Sequence, residues 1–112
     1  MSDQIQRLLK MYAEGISGIY DKDLKSILLY GSYARGDFRE DSDMDIMILV
    51  DLFEEEIQKT RRKVSDYTYD FNEEHGVDIM PLVKNEKHFN QWLRAYPFYN
   101  NIKREGIEIY AS

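Results

Sequence analysis

The chain contains no cysteine and has only two prolines among its 112 residues. Without thiols it cannot form disulfide bonds, use a catalytic cysteine or bind metal through thiolates, so any metal ion must take other ligands. It also has no apolar run near the roughly 20 residues that a membrane-spanning helix needs. The N-terminus lacks the basic and then apolar order of a signal peptide, so we expect a cytoplasmic protein without a membrane partner.

Positive charge is scarce too: 15 lysines and arginines face 21 acidic residues, giving a formal net charge of −6. Nucleic-acid binding calls for clustered basic side chains, and the single basic run, Lys59–Lys63, is interpreted as a solvated helix face. Direct contact with nucleic acid is therefore not expected. An acidic protein that handles a polyphosphate would need divalent cations between itself and its substrate.

What the chain does contain is typical of a soluble globular protein, with 43% apolar and 32% charged residues. A chain of this length has enough apolar residues for one core, so residues 1–112 are predicted to be a single domain.

Hydrophobic periodicity and turn residues predict seven main elements, which indicate a small α/β or α+β domain. They are a helix over Ser2–Tyr20, strands over Ser26–Tyr30 and Met44–Val50, a helix over Leu52–Glu74, a strand over Val77–Val83, a helix over Asn85–Arg94, and a short helix with an extended tail over Ala95–Ser112.

Local signals refine these predictions. The first helix is capped by Ser2 or Asp3, and Gly18 favours an early end to it. The long helix is expected to break near Thr68 and to stop at Gly76. Pro81 cannot donate a hydrogen bond to a neighbouring strand, so the third strand either lies at the edge of the sheet or leaves the sheet in its far half.

Two aspartates, Asp43 and Asp45, open the second strand. Residues two apart on a strand project to the same face, with Cα atoms about 6–7 Å apart. Two such carboxylates repel each other unless a cation lies between them, and Mg²⁺ prefers oxygen ligands of this kind. If the third strand lies beside the second, Asp78 completes a cluster of three carboxylates able to hold two metal ions about 3.5–4 Å apart.

Gly31 and Ser32 follow the first strand. Glycine allows a tight turn and a close approach to a ligand, and Ser32 offers a hydroxyl and backbone N–H groups at the start of a possible short helix over Ser32–Arg35. This pair is predicted to hold phosphate. The loop over Gly36–Ser42 then leads to the aspartates.

Gly31-Ser32, ten intervening residues and Asp43-Met44-Asp45 resemble the signature of the DNA polymerase β-like nucleotidyltransferase superfamily. The local sequence Gly-Ser-Tyr-Ala-Arg-Gly and the small size of the chain resemble those of the minimal nucleotidyltransferases, the MntA-type antitoxins of toxin–antitoxin pairs. The resemblance implies a mixed sheet flanked by helices, with ATP as donor and Mg²⁺ as cofactor. It further implies transfer of AMP to a tyrosine of a HEPN-domain ribonuclease toxin, in a hetero-oligomer that neutralises the toxin.

Carried onto this chain, the resemblance makes Asp43 and Asp45 ligands of both metal ions. Asp78 completes the second metal site and acts as the base, and Gly31 and Ser32 hold the β- and γ-phosphates. For Arg35 two interpretations stay open: contact with phosphate, or an ion pair with a nearby acidic residue.

Two other functions stay open: an antitoxin that acts by binding alone, and nucleotide transfer to a small hydroxyl compound. His75 and His88 are interpreted as surface or capping residues. The aromatic cluster over Tyr96–Tyr99 either meets a partner or closes the core.

Overall fold

A four-stranded mixed sheet with helices on both faces makes up the fold of the protein, here a computed structural model that describes residues 2–39 and 41–111. Along the chain the elements are α1 (Asp3–Tyr20), β1 (Leu24–Tyr30), α2 (Ser32–Arg35), β2 (Met44–Val50), α3 (Glu54–His75), β3 (Ile79–Asn85), α4 (Glu86–Gln91), α5 (Pro97–Glu105) and β4 (Ile107–Ala111). The predicted small mixed sheet flanked by helices is confirmed.

The strands lie in the order β3-β2-β1-β4. β1 is antiparallel to both β2 and β4, whereas β2 and β3 run parallel across the connection made by α3. β2 is an inner strand, and this explains its nearly continuous apolar sequence. β3 lies at an edge, the first of the two alternatives that Pro81 left open.

The two faces of the sheet bury separate clusters of side chains. On one face, residues of α1 and α3 pack on the strands; its most buried members include Leu9, Tyr12, Ile16, Ile27, Ile46, Ile48 and Ile57. On the other face, a smaller cluster joins β2 to α4 and α5 through Met47, Leu49, Phe89, Tyr99 and Ile102. Asp45 lies two residues before Met47 and four before Leu49 on β2. Residues two apart on a strand project to the same face, so Asp45 shares this second face.

The predicted span of the first helix to Tyr20 is confirmed, whereas its expected early end at Gly18 and the expected break of the long helix near Thr68 were wrong. α1 continues past Gly18 to Tyr20, since Tyr20 is buried and its hydroxyl pairs with Thr60 at 2.7 Å. α3 does not break near Thr68, because the Thr68 side chain is itself buried and pairs with the Tyr12 hydroxyl at 2.7 Å. In each case a contact between distant segments overrides the local preference.

The predicted extended tail is incomplete as a description, because it forms β4 and hydrogen-bonds to β1. The third strand starts two residues later than predicted and runs on to Asn85, whose side chain accepts a bond from His88 N–H and so caps α4. α4 then ends at Gln91 instead of Arg94. Glu40 and Ser112, which fall in the predicted loop and tail, lie outside the described residues.

Within residues 2–39 and 41–111, no helix combines the length and the apolar character needed to cross a bilayer.

Candidate active site

The turn after β1 is formed by Gly31, which has a φ of 76° and a ψ of −154°. Residues other than glycine rarely adopt this backbone conformation. A Cβ atom at this position would also overlap Oδ2 of Asp45. Gly31 is therefore required twice, by the turn itself and by the carboxylate that packs against it.

Ser32 begins α2 immediately after this turn, as predicted. The first N–H groups of a helix have no carbonyl partner within it and remain available to an anion. The carbonyl of Ser32 accepts hydrogen bonds from Gly36 N–H at 2.9 Å and from Asp37 N–H at 3.1 Å. These bonds stabilise the backbone of α2 directly after Gly31. Ser32 itself is partly exposed and can reach a ligand.

The predicted pairing of the second and third strands is confirmed, and it brings Asp78 beside Asp43. Met44 pairs with Ile79 in the parallel ladder, and Met44 N–H donates to the carbonyl oxygen of Asp78 at 2.8 Å. The residues just before each strand are therefore neighbours. Asp45, two residues further along β2, pairs with Tyr30 of β1.

The three carboxylates differ in exposure: Asp43 and Asp78 are exposed, whereas Asp45 is partly buried. Over residues 2–39 and 41–111, no three acidic or histidine side chains are gathered closely enough to form a metal site. Like charges favour such separation, and exposed side chains are free to adopt it. The backbones of the three residues thus lie at the same end of β2 and β3, while the three metal-binding roles remain predictions.

The electrostatic environment of Asp45 fits a cation. Burial raises the pKa of this carboxyl, the charge of Asp43 raises it further, and the nearby Arg35 lowers it in part. The pKa of the Tyr30 hydroxyl is also raised, by burial and then by Asp45. Negative charge at this position is therefore under-compensated, and a hard divalent ion such as Mg²⁺, which takes carboxylate oxygens, suits the residues present.

Arg35 pairs with two acidic side chains in this structure. Its Nε lies 3.4 Å from Oδ2 of Asp37, and its Nη1 lies 3.7 Å from Oε2 of Glu105. The Arg35 side chain is 46% exposed, and ion pairs at such exposure contribute little. The ion-pair interpretation thus describes Arg35 here, and a bound phosphate would compete for the same guanidinium.

A cleft of about 630 Å³ opens beside Gly31, Ser32 and Asp45. Its other wall is α5, which sequence reasoning did not connect with the site. The α5 residues that line the cleft are Phe98, Asn101, Ile102 and Glu105. Their spacing of three and four residues marks one helical face, a signal that was present in the sequence. Nothing local indicated that this face lies opposite the Gly-Ser turn.

The remaining candidates lie elsewhere. His75 is near Glu74 and the ring of Phe71, and His88 lies between the rings of Trp92 and Tyr99. In the Tyr96–Tyr99 cluster, Tyr99 is buried in the second core, as the core interpretation expects. Tyr96 and Phe98 are 45% and 48% exposed, and their contact with a partner stays a prediction.

A mixed sheet that sets a Gly-Ser turn against the aspartates of the next strand is the arrangement of a nucleotidyltransferase. Sequence comparison agrees: residues 10–108 match the nucleotidyltransferase domain family, and the chain belongs to that family. It is 32% identical over 106 residues to a candidate protein adenylyltransferase of Methanocaldococcus jannaschii, covering 94% of this chain and 97% of that protein.

Solved structures share the fold at lower identity. A candidate nucleotidyltransferase from Sulfolobus solfataricus superposes with a TM-score of 0.61 at 21% identity, over 96% of this chain and 81% of that one. A chain from the complex of a tri-AMPylated Shewanella oneidensis HEPN toxin with MNT antitoxin gives a TM-score of 0.54 at 16% identity, over 96% and 73%.

Proposed function

We propose that this protein is a Mg²⁺-dependent adenylyltransferase that moves AMP from ATP to a tyrosine hydroxyl of a HEPN-domain toxin and thereby neutralises the toxin. The observation that carries the proposal is the contact between Gly31 and Asp45, which sets the turn predicted to hold phosphate against a carboxylate predicted to bind metal. The protein adenylyltransferase name of the M. jannaschii relative supports a protein acceptor over a small hydroxyl compound. A chain with the same fold comes from a complex of a HEPN toxin with an MNT antitoxin, and this supports a HEPN toxin as the partner.

In this mechanism the chain's own residues position the triphosphate. The N–H groups and hydroxyl at Ser32 hold the β- and γ-phosphates, and Asp43 and Asp45 supply the oxygen ligands for the metal ions, with Asp78 completing the second site. When bound, Mg²⁺ offsets the charge of the triphosphate and lowers the pKa of the attacking hydroxyl.

The reaction forms a bond between the tyrosine oxygen and the α-phosphorus and breaks the bond from that phosphorus to the bridging oxygen. Pyrophosphate leaves with this oxygen, and Asp78 accepts the phenolic proton as general base. Asp78 is suited to this role because it is exposed to an incoming partner and lies beside Asp43. Positioning and charge stabilisation supply most of the rate gain.

The test is mass spectrometry of the cognate HEPN protein after incubation with this protein, ATP and Mg²⁺. We expect AMP on a tyrosine of the partner with the wild type and with Asp66→Asn, a control that removes an exposed carboxylate of α3. Asp45→Asn should leave the partner unmodified. A toxin that is silenced but carries no AMP would overturn the proposal in favour of inhibition by binding alone.

A further inference from the structure

The cleft beside the candidate active site has two walls of different chemistry. One wall consists of Gly31, Ser32 and Asp45, the residues assigned to phosphate and metal. The opposite wall belongs to α5 and offers an aromatic ring, an amide and a carboxylate, at Phe98, Asn101 and Glu105. A wall of this composition is unsuited to a triphosphate but suits a flat, uncharged group attached to one.

Phe98 supplies the flat surface. Phe98 is 48% exposed and lines the cleft, so its ring is accessible to a ligand there. The ring meets Tyr30 edge to face, with centroids 5.7 Å apart and planes at 84°. This contact is typical of a stable aromatic pair and fixes the position of the Phe98 ring. Stacking of a nucleobase on an aromatic ring requires such a fixed and exposed surface.

Asn101 lies three residues further along α5, on the same face. Its Oδ1 accepts a hydrogen bond from Nη2 of Arg104 at 3.0 Å. Because a guanidinium group can only donate, this bond requires the amide oxygen, and the NH₂ group is left to donate elsewhere. Purine ring nitrogens accept such bonds.

An exposed ion pair between Arg35 and Glu105 crosses from one wall to the other, over 3.7 Å between α2 and the last turn of α5, but it contributes little to holding them together. Ile102 of α5 is 2% exposed and belongs to the second core, so its burial anchors the helix to the sheet. The distance between the phosphate wall and the α5 wall is thus set by the fold.

We propose that this face of α5 is the nucleoside-binding wall of the active site: the base of the donor nucleotide stacks on Phe98 and accepts a hydrogen bond from the Asn101 amide. The inference rests on the proposed function, since it assigns the base of the same ATP whose phosphates Ser32 holds. It adds the residues that distinguish a nucleotide from a bare polyphosphate.

The experiment compares the binding of Mg·ATP and Mg·tripolyphosphate by calorimetry, because tripolyphosphate has the phosphates without the base. We expect Phe98→Ala to weaken ATP binding by roughly 5- to 150-fold, as for loss of one base–aromatic stack. Its affinity for tripolyphosphate should stay within about twofold. Phe98→Trp should retain ATP binding. Tyr69→Ala, which removes an exposed ring of α3 outside the cleft, should leave the affinity for both ligands unchanged.

Asn101→Leu gives a second, independent measure. Leucine is close to asparagine in size, removes the NH₂ donors and adds no charge, so it should weaken the binding of ATP and leave the binding of tripolyphosphate nearly unchanged. The ratio of ATP affinity to tripolyphosphate affinity should therefore fall.

Each remaining outcome overturns a specific statement. If Phe98→Ala binds ATP like the wild type, or loses both ligands equally, Phe98 does not contact the base. If Phe98→Ala and Asn101→Leu both keep the wild-type ratio of ATP affinity to tripolyphosphate affinity, the base makes no contact with this wall. If the wild type binds neither ligand, the phosphate site fails, and the proposed function fails with it.

Discussion

The carboxylate of Asp45 packs against Gly31 so closely that a β-carbon at position 31 would overlap its Oδ2. Asp45 belongs to β2 and pairs with Tyr30, the last residue of the antiparallel strand β1, which Gly31 follows directly. The two halves of the Gly-Ser and Asp-Met-Asp motif thus form one physical unit. Hairpin pairing, rather than the loop between them, sets the distance from the phosphate turn to the carboxylates.

Gly31→Ala should therefore abolish AMP transfer and lower the free energy of unfolding by about 1–3 kcal/mol, the cost of forcing a side chain into this conformation. Gly36→Ala is the matched control: Gly36 also has a positive φ, 83°, but a Cβ there meets no atom within 4 Å. We expect the control to lose stability and keep its activity. Chemical denaturation and a transfer assay measure the two effects, and full activity in Gly31→Ala would contradict the account.

Asp43→Asn tests the repulsion between the aspartates. The charge of Asp43 raises the pKa of Asp45, so its removal should stabilise the metal-free protein by a few tenths of a kcal/mol. We expect Mg²⁺ to raise the melting temperature of the wild type, because a ligand that binds only the folded state stabilises it, and we expect this increase to be lost in the variant. Thermal unfolding in chelator and in Mg²⁺ measures both. An unchanged response to Mg²⁺ would remove Asp43 from the metal site.

The pH dependence of stability tests the environment of Asp45. Since its pKa is raised in the folded state, that state binds more protons than the unfolded chain between the two pKa values. The contribution of Asp45 to the free energy of unfolding therefore falls as pH rises through this interval. In chelator, Asp45→Asn should match the wild type at low pH, become relatively more stable as pH rises, and level off above the raised pKa. A constant difference between the two proteins at every pH would show that Asp45 has an ordinary pKa.

The sequence allowed the core of the candidate site to be predicted, because its residues stand out locally. Asp45 interrupts an apolar strand, Gly31 ends one, and Asp78 directly precedes another. Parallel pairing of β2 with β3 then follows from the helical crossover between them.

The other half of the cleft was beyond sequence reasoning because it depends on pairing between distant segments. β4 joins the sheet beside β1 and thereby places α5 opposite the Gly-Ser turn. The aromatic residues of α5 have the same periodicity whether they fill a core or line a site. Tyr99 does the first and Phe98 the second, although they are adjacent in the chain.

The glycines of α1 show the same limit. A Cβ at Gly15 would overlap the ring of Tyr67, whose hydroxyl donates to the carbonyl of Tyr12 at 3.0 Å, whereas a Cβ at Gly18 meets nothing within 4 Å. Gly15→Ala should therefore destabilise the protein by roughly 1–3 kcal/mol through overpacking. Gly18→Ala should stabilise it by about 0.5–1 kcal/mol. Denaturant titrations decide this, and effects of the same sign would refute the packing of α1 against α3.

The most direct test of the central claim follows the phosphate atoms of ATP. Samples with the cognate HEPN protein and Mg²⁺ receive ATP labelled either at the α-phosphate or at the γ-phosphate. Nucleotidyl transfer predicts that the partner acquires the α-label and never the γ-label, and that Asp43→Asn and Asp45→Asn abolish the signal while Asp66→Asn retains it. Transfer of the γ-label to the partner, or α-labelling that persists without both aspartates, would contradict the account.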